Sequence, residues 1–317
     1  MKKALLLAAA LAAVPAFAQD RAKSPDPAYV KQVLDWRAKS EKSLRRDQGW
    51  LTLAGRYVLK EGENTFGTAP TNDIVFPKGT GPAGMGSVFV EVGKVRVKLV
   101  DGLSMKTNDG FEMTEKTMDT SGESKDWVSV GPRASFTIIE RSGRYVLRLA
   151  DKESPVRKDF LGRVWYDVDD NFRVPAKFMA YEPVRKEPII NILDEVSDEP
   201  VPGYIEFEIK GRPYKLDVIG DDEEGLFVIF KDPTAGDTTY GSGRFLFVEG
   251  KPKPGERFLL DLNRAYNPPC AFSEFTTCPL PPKQNILKVR VEAGEKYPPR
   301  KSTHEAGDKA PTGKKAT

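Results

Sequence analysis

The pattern of apolar and polar positions divides the chain into one helix followed by many short strands. Asp26 and Pro27 are typical of a helix start, because the Asp26 carboxylate can accept from free N–H groups and proline suits the first helical position. Apolar side chains then recur near one helical face at Tyr29, Val33, Trp36 and Leu44. This pattern predicts a helix within residues 19–48 that packs on the body of the protein.

From Trp50 onward, short apolar stretches alternate with turn residues. In the first half these stretches lie at residues 87–92, 94–99, 127–130, 134–140 and 144–149. Short strands at such spacing favour a β-sandwich. We therefore predict a β-sandwich-like unit over residues 49–151.

The second half, residues 152–297, is predicted to be an antiparallel meander of six strands that forms a barrel or a sandwich. The six strands are expected at residues 204–209, 213–219, 226–230, 244–248, 257–262 and 286–291, and residues 174–181 are a further strand candidate. A proline-rich, acidic segment at 183–202 is predicted to be an extended loop that contains a short strand at 189–193. The fold class is therefore all-β behind an N-terminal helix.

The two ends of the chain are expected to lie outside the fold. Lys2 and Lys3 precede an apolar run and the small-residue site Ala16-Phe17-Ala18, which is the pattern of a secretory signal peptide over residues 1–18. The protein is therefore expected to be periplasmic or secreted. No apolar run reaches the ~20 residues of a transmembrane span. Residues 298–317 are polar and are predicted to be a disordered tail.

Composition argues against several classes of function. The formal net charge is +3 at pH 7, and the basic excess lies in the leader and the tail. No nucleic-acid partner is expected, because such binding needs a basic face on the folded body. The single histidine, His304, lies in the tail, which argues against histidine-based triads and metal sites. No metal or other cofactor is predicted.

Cys270 and Cys278 are the two cysteines of the chain. In an exported protein, such a pair most often forms a disulfide. The segment between them belongs to a loop stiffened by Pro268-Pro269 and Pro281-Pro282, whose rings fix φ. We predict a disulfide that closes this loop.

Two polar stretches that follow apolar strands contain the candidate functional residues. They are Asp232, Tyr240 and Arg244 in the loop at 231–244, and Asp261, Asn263, Arg264, Tyr266 and Asn267 at the start of the loop at 261–282. Carboxylates, arginines, tyrosines and amides can together bind a small polar or carbohydrate-like ligand. The same side chains can instead form a buried network of ion pairs and hydrogen bonds.

Ligand binding is the first functional hypothesis, and two alternatives stay open. One is a hydrolase that uses Asp232 and Asp261 as a carboxylate pair, since glycoside hydrolysis needs two such groups. The other is a structural envelope protein that has no small-molecule site. The sequence does not distinguish an enzyme from a binding protein.

The segments Gly62-Glu-Asn-Thr-Phe-Gly67 and Asn72-Asp-Ile-Val-Phe76 resemble the opening of a forkhead-associated domain, a sandwich that binds phosphothreonine. Thr68 stands where that family has an arginine, and the segment at 85–88 has no histidine. The resemblance implies a sandwich over residues 50–150 that lacks the phosphothreonine-binding residues.

Motifs in both halves resemble an exported bacterial family known as the domain of unknown function DUF1684. They include Gly49-Trp-Leu-Thr-Leu-Ala-Gly, Thr239-Tyr-Gly-Ser-Gly-Arg-Phe-Leu and Asn263-Arg-Ala-Tyr-Asn-Pro-Pro-Cys-Ala-Phe. The resemblance extends over residues 30–297. It implies an exported or envelope protein, and it supplies no activity, cofactor or catalytic residue.

Overall fold

The computed structural model describes residues 25–121, 126–141, 143–221 and 223–297. The predicted signal peptide at 1–18 and the predicted tail at 298–317 lie outside the described residues. Within the described part of the chain, no helix has both the length and the apolar character needed to cross a membrane.

One long helix, α1 (Pro27–Leu44), precedes the strands. The Asp26 carboxylate accepts from the N–H of Ala28 at 3.1 Å, so the predicted helix start is confirmed. The buried face of α1 contains the apolar Tyr29, Val33 and Leu44. It also contains Arg37, so the helix carries a cation into the interior.

The strands of the first half are β1 (Leu53–Val58), β2 (Gly62–Gly67), β3 (Ile74–Val75), β4 (Gly86–Glu91), β5 (Lys94–Leu99), β6 (Met105–Thr107), β7 (Glu112–Met113), β8 (Glu115–Thr117), β9 (Val128–Val130), β10 (Ala134–Arg141) and β11 (Arg144–Asp151). Among the described residues they form two sheets, with strand orders β1-β11-β10-β9-β6-β7 and β3-β2-β4-β5-β8. The parallel pair in these sheets is β2 with β3, and the neighbouring strands otherwise run antiparallel.

Both sheets contribute side chains to one hydrophobic core. Phe66 and Val88 enter it from one sheet, and Phe136 and Leu147 enter it from the other. The ring of Phe66 lies 5.5 Å from that of Phe136, centroid to centroid, in an edge-on arrangement. Two sheets that share one core are the arrangement that a sandwich-like unit requires.

A short helix, α2 (Pro155–Lys158), leads into the second half. Its strands are β12 (Val164–Trp165), β13 (Arg173–Ile190), β14 (Val196–Ile209), β15 (Arg212–Val218), β16 (Gly225–Phe230), β17 (Arg244–Glu249), β18 (Arg257–Asp261) and β19 (Glu295–Lys296). The described strands pair as β15-β14-β13-β18, β16-β17 and β12-β19. The N–H of Ile219 donates to the carbonyl of Phe227 at 2.9 Å and links β15 to β16. The predicted all-β fold class is confirmed, and one of the sheets curls into a half-barrel.

Two details of the second half differ from the prediction. Residues 183–202 are largely strand rather than extended loop, because β13 and β14 pair as one long hairpin. Pro183 lies where the register of that pair shifts, and such a bulge tolerates a residue without an N–H. The segment predicted as the last strand, 286–291, is irregular. Leu287 and Val291 are nevertheless buried in the core of this half, and β13 supplies the sixth strand.

We expect Phe66→Ala to lower the free energy of unfolding by about 3–5 kcal/mol, because it leaves a cavity between two sheets that cannot close fully. The matched control is Phe111→Ala, since the Phe111 side chain is 66% exposed. Urea denaturation followed by circular dichroism measures both changes. Equal effects of the two substitutions would show that the two sheets do not share a core.

Candidate functional site

The polar stretch from Asp261 to Asn267, which we call the motif, contacts helix α1. The Asp261 carboxylate accepts from the N–H of Asn263 at 3.1 Å, which starts the 3₁₀ turn Leu262–Arg264. It also accepts from the Tyr29 hydroxyl of α1 at 2.7 Å. Burial, together with this carboxylate, raises the pKa of Tyr29. The motif and the helix are therefore joined by a neutral hydroxyl that donates to an acidic side chain.

Asn263 is fully buried, and its side-chain amide is fully used. Its Oδ1 accepts from the N–H of Asp169 at 2.9 Å, and its Nδ2 donates to the carbonyl of Asp169 at 2.8 Å. The Nδ2 also donates to the Tyr29 hydroxyl at 3.0 Å. Asn263 therefore holds α1, the turn at Asp169 and the motif in one arrangement.

Three aromatic rings meet beside the motif, and we call Trp36, Trp165 and Tyr266 the aromatic junction. The Trp36 ring lies 5.7 Å from that of Trp165 and 6.3 Å from that of Tyr266, centroid to centroid. All three side chains are half-buried. Arg264 lies at the edge of the junction, with its guanidinium carbon 6.0 Å from the Trp36 ring and its Nε 3.3 Å from the Asp261 carboxylate.

Two further guanidinium groups border the Trp165 ring of the junction. The guanidinium carbon of Arg37 lies 4.7 Å from the Trp165 ring, and that of Arg163 lies 5.8 Å from it. Arg37 is held by two backbone carbonyls, those of Tyr166 at 3.0 Å and Asn263 at 3.3 Å. The junction is therefore lined by aromatic faces and positive charge.

Glu295 contributes a buried carboxylate to the same region. It is 1% exposed, accepts from the N–H of Asn267 at 2.8 Å, and pairs with Nη1 of Arg163 at 3.0 Å. Burial raises the pKa of Glu295 to about 7, against the lowering effect of Arg163. Near neutral pH, Glu295 is therefore poised between its neutral and charged forms.

Buried polar atoms without a hydrogen-bond partner gather around this junction. Among the described residues they are Nε of Arg37 and Arg163 and Oδ1 of Asn267, besides the hydroxyls of Ser135 and Thr137 in the first half. The Nε of Arg264 makes no hydrogen bond either, but it forms an ion pair with the Asp261 carboxylate. Buried polar side-chain atoms in folded proteins nearly always have a partner. The motif region therefore has hydrogen-bonding capacity that its own side chains do not use.

The other predicted stretch forms a closed network. Asp232 is 4% exposed and pairs with Nη2 of Arg244 at 3.0 Å. The carboxylate also accepts from Thr234 and from the N–H of Val291 at 2.8 Å. Arg244 donates in addition to the carbonyls of Val291 and Ala293. Desolvation lowers the pKa of Arg244, and the ion pair with Asp232 opposes that shift.

Tyr240 and the two cysteines lie together next to this network. The Tyr240 hydroxyl donates to the Cys270 carbonyl at 3.3 Å, and burial raises the pKa of Tyr240. Both cysteines are free thiols in the structure. The N–H of Cys270 donates to Sγ of Cys278 at 3.1 Å. The disulfide between them stays a prediction.

The structure thus separates the eight candidate residues. Arg264 and Tyr266 lie at the aromatic junction, Asp261 and Asn263 bond to Tyr29 of α1, and Asn267 bonds to Glu295. Asp232 and Arg244 lie in the closed network, and Tyr240 bonds to the Cys270 carbonyl. Sequence reasoning missed Trp36, Arg37, Arg163, Trp165 and Glu295. One signal was present, because Arg37 interrupts the apolar face of α1 directly after Trp36.

Three surface cavities lie on or beside the second-half sheets, away from the motif. Their volumes are about 470, 550 and 320 Å³. The largest lies along β13 at residues 180–187, where the register of the β13–β14 pair shifts, and the other two involve β15 at residues 213–215. None of the eight candidate residues lines these three cavities.

We expect Arg244→Ala to lower the free energy of unfolding by about 3–5 kcal/mol, because it leaves the buried Asp232 carboxylate unpaired. The control is Arg290→Ala, which removes a partly exposed ion pair with Asp237 and should leave the urea midpoint within replicate error. A wild-type midpoint for Arg244→Ala would contradict a structural role for this network.

We expect the stability of the protein to fall as pH rises from about 4.5 to about 7, because the pKa of Glu295 rises from its usual 4.5 to about 7 on folding. In this window the unfolded chain releases a proton that the folded protein keeps. The loss from this one group is about 3 kcal/mol, at about 1.4 kcal/mol for each pH unit.

Glu295→Gln should remove this dependence, since the amide stays neutral. Urea denaturation of both proteins from pH 4 to pH 8 measures the difference between them. If that difference is the same at every pH, Glu295 does not hold its proton in the folded state.

Comparisons with known proteins identify a family and no activity. Residues 158–296, which include the motif, match the family described as Protein of unknown function (DUF1684). The solution NMR structure of an uncharacterized protein from Haloarcula marismortui is similar to this chain at 33% sequence identity, with a TM-score of 0.38. The match covers 44% of this chain and 78% of that one. No curated protein matches the chain. Through residues 158–296, this chain belongs to the DUF1684 family of proteins of unknown function.

Proposed function

We propose that this is an exported protein that binds a small polar or carbohydrate-like ligand at the aromatic junction. The observation that carries the proposal is the group of three buried side-chain atoms without partners, the Nε of Arg37, the Nε of Arg163 and the Oδ1 of Asn267, beside half-buried aromatic rings. Small-molecule sites typically combine aromatic walls with a few directed polar groups. Export is proposed from the signal-peptide pattern of residues 1–18.

The chemistry of these atoms suits a ligand that carries several hydroxyl groups. A hydroxyl can donate one hydrogen bond and accept two. Hydroxyl groups of a ligand can therefore accept from the Nε of Arg163 and donate to the Oδ1 of Asn267, two residues that both contact Glu295. The faces of Trp36 and Trp165 supply apolar surface against which a sugar ring can pack.

The surroundings of the junction hold these groups in place before any ligand binds. The oxygen and the nitrogen of the Asn263 side-chain amide both bond to the backbone of Asp169. The Asp261 carboxylate accepts a hydrogen bond from the Tyr29 hydroxyl. Side chains that are already ordered lose little conformational entropy on binding, which favours affinity. The motif therefore acts as the support of the site as well as part of its wall.

The geometry favours binding over the hydrolase alternative. Asp232, one of the two carboxylates of that hypothesis, is buried and engaged by Arg244, Thr234 and the N–H of Val291. A carboxylate with all of these partners has little capacity left for a substrate. The purely structural alternative gives no role to the unpartnered atoms of the junction.

A panel of neutral sugars, sugar acids and sugar phosphates tests the proposal by thermal shift. We expect at least one class to raise the melting temperature in a saturable way. Arg264→Gln should weaken that binding at least tenfold, because it removes the guanidinium at the edge of the junction. A tenfold change in affinity corresponds to about 1.4 kcal/mol of binding free energy. The matched control is Arg290→Gln, whose side chain pairs with Asp237 and Glu292 on the surface.

Circular dichroism of Arg264→Gln checks that its fold is intact. The proposal is wrong if no member of the panel shifts the melting temperature. It is also wrong if a folded Arg264→Gln binds as tightly as the wild type.

A further inference from the structure

Arg37 is a buried cation that no carboxylate contacts. It is 7% exposed, its two Nη atoms donate to backbone carbonyls, and its Nε has no partner. The ion pairs formed within 4.0 Å among the described residues do not include it. An arginine stays protonated when it is buried. Its positive charge is therefore held in the interior by neutral partners alone.

The nearest carboxylates act on Arg37 only from a longer range. Burial lowers the pKa of Arg37, while the charges of Asp261, Asp167 and Glu295 have the opposite effect. Asp261 is already engaged by Tyr29, the N–H of Asn263 and Arg264. Burying a charge without a contacting counter-charge is costly, and buried charges in proteins are normally paired. The charge of Arg37 therefore calls for a counter-charge that the protein itself does not supply by contact.

Glu295 also bonds to groups other than Arg37. It pairs with Arg163 and accepts from the N–H of Asn267. Around Trp36 and Trp165 there are thus three guanidinium groups, those of Arg37, Arg163 and Arg264, and two contacting carboxylates. The junction carries one positive charge more than its contacts neutralise when both carboxyls are ionised.

We propose that the ligand of the aromatic junction carries an oxyanion, a carboxylate or a phosphate, and that Arg37 supplies the charge that holds it. This inference rests on the function proposed above and specifies the class of ligand. A guanidinium group presents its N–H donors in a planar fork that suits both oxyanions. The unpartnered Nε of Arg163 provides a further donor at the same junction.

Tryptophan fluorescence gives a direct readout, because the Arg37 guanidinium lies against the Trp165 ring. The chain has four tryptophans. Trp50→Phe with Trp127→Phe leaves Trp36 and Trp165 as the reporters. The probes are glucuronate, glucose 6-phosphate and neutral glucose, titrated at constant ionic strength. At least one of the two anionic probes should change the fluorescence saturably, at a concentration at least tenfold below that of glucose.

In the same background, Arg37→Met should weaken binding of the anionic probe at least tenfold, and Arg37→Lys should restore part of it. The matched control is Arg290→Met on the surface, which should bind as the parent does. Whichever of glucuronate and glucose 6-phosphate binds more tightly identifies the carboxylate or the phosphate as the oxyanion. If Arg37→Met does not fold, the comparison of the anionic probes with glucose still decides.

The outcomes separate the two proposals. Glucose that binds as tightly as both anionic probes overturns the oxyanion and leaves the ligand site standing. An Arg37→Met protein that folds and binds the anion with parental affinity overturns the role of Arg37. If none of the three probes changes the fluorescence or the melting temperature, the oxyanion inference falls, and the neutral members of the wider panel then decide whether the proposed function falls with it.

Discussion

The packing of helix α1 against the second half centres on the hydrogen bond between the Tyr29 hydroxyl and the Asp261 carboxylate. The two residues are 232 positions apart in the chain, and their oxygens lie 2.7 Å apart. Asn263 donates to the same hydroxyl and binds the backbone of Asp169. These bonds place α1 over the end of β18. Together with the bond from Arg37 to the Asn263 carbonyl and the packing of Trp36 on Tyr266, they fix the helix relative to the motif.

Two clusters of buried charge in this half have opposite characters. Asp232 and Arg244 pair with each other, and their remaining polar atoms bond to Thr234 and to backbone groups of Val291. At the aromatic junction, Arg37 and Arg163 each retain an Nε donor without a partner. A satisfied network rigidifies a core, while unmet polar capacity is costly and calls for an explanation. This contrast supports our proposals that the first cluster is structural and that the second binds a ligand.

The family match and the proposed site do not have the same extent. Residues 158–296 contain Arg163, Trp165, the motif and Glu295. Trp36 and Arg37 belong to α1, which precedes the matched segment by more than a hundred positions. The site as proposed therefore needs both a strand-end motif and a helix that approaches from a distant part of the sequence.

The sequence by itself determined the helix, the all-β class and most of the strands, because apolar periodicity is a local property. It was wrong about residues 183–202, which are largely strand because a bulge accommodates Pro183. It was also wrong about residues 286–291, where Leu287 and Val291 are buried without strand pairing. It also selected the motif from Asp261 to Asn267. Only the tertiary structure decided which of the polar side chains are enclosed by partners and which retain free donors. That distinction depends on contacts such as Tyr29 with Asp261, which no local pattern records.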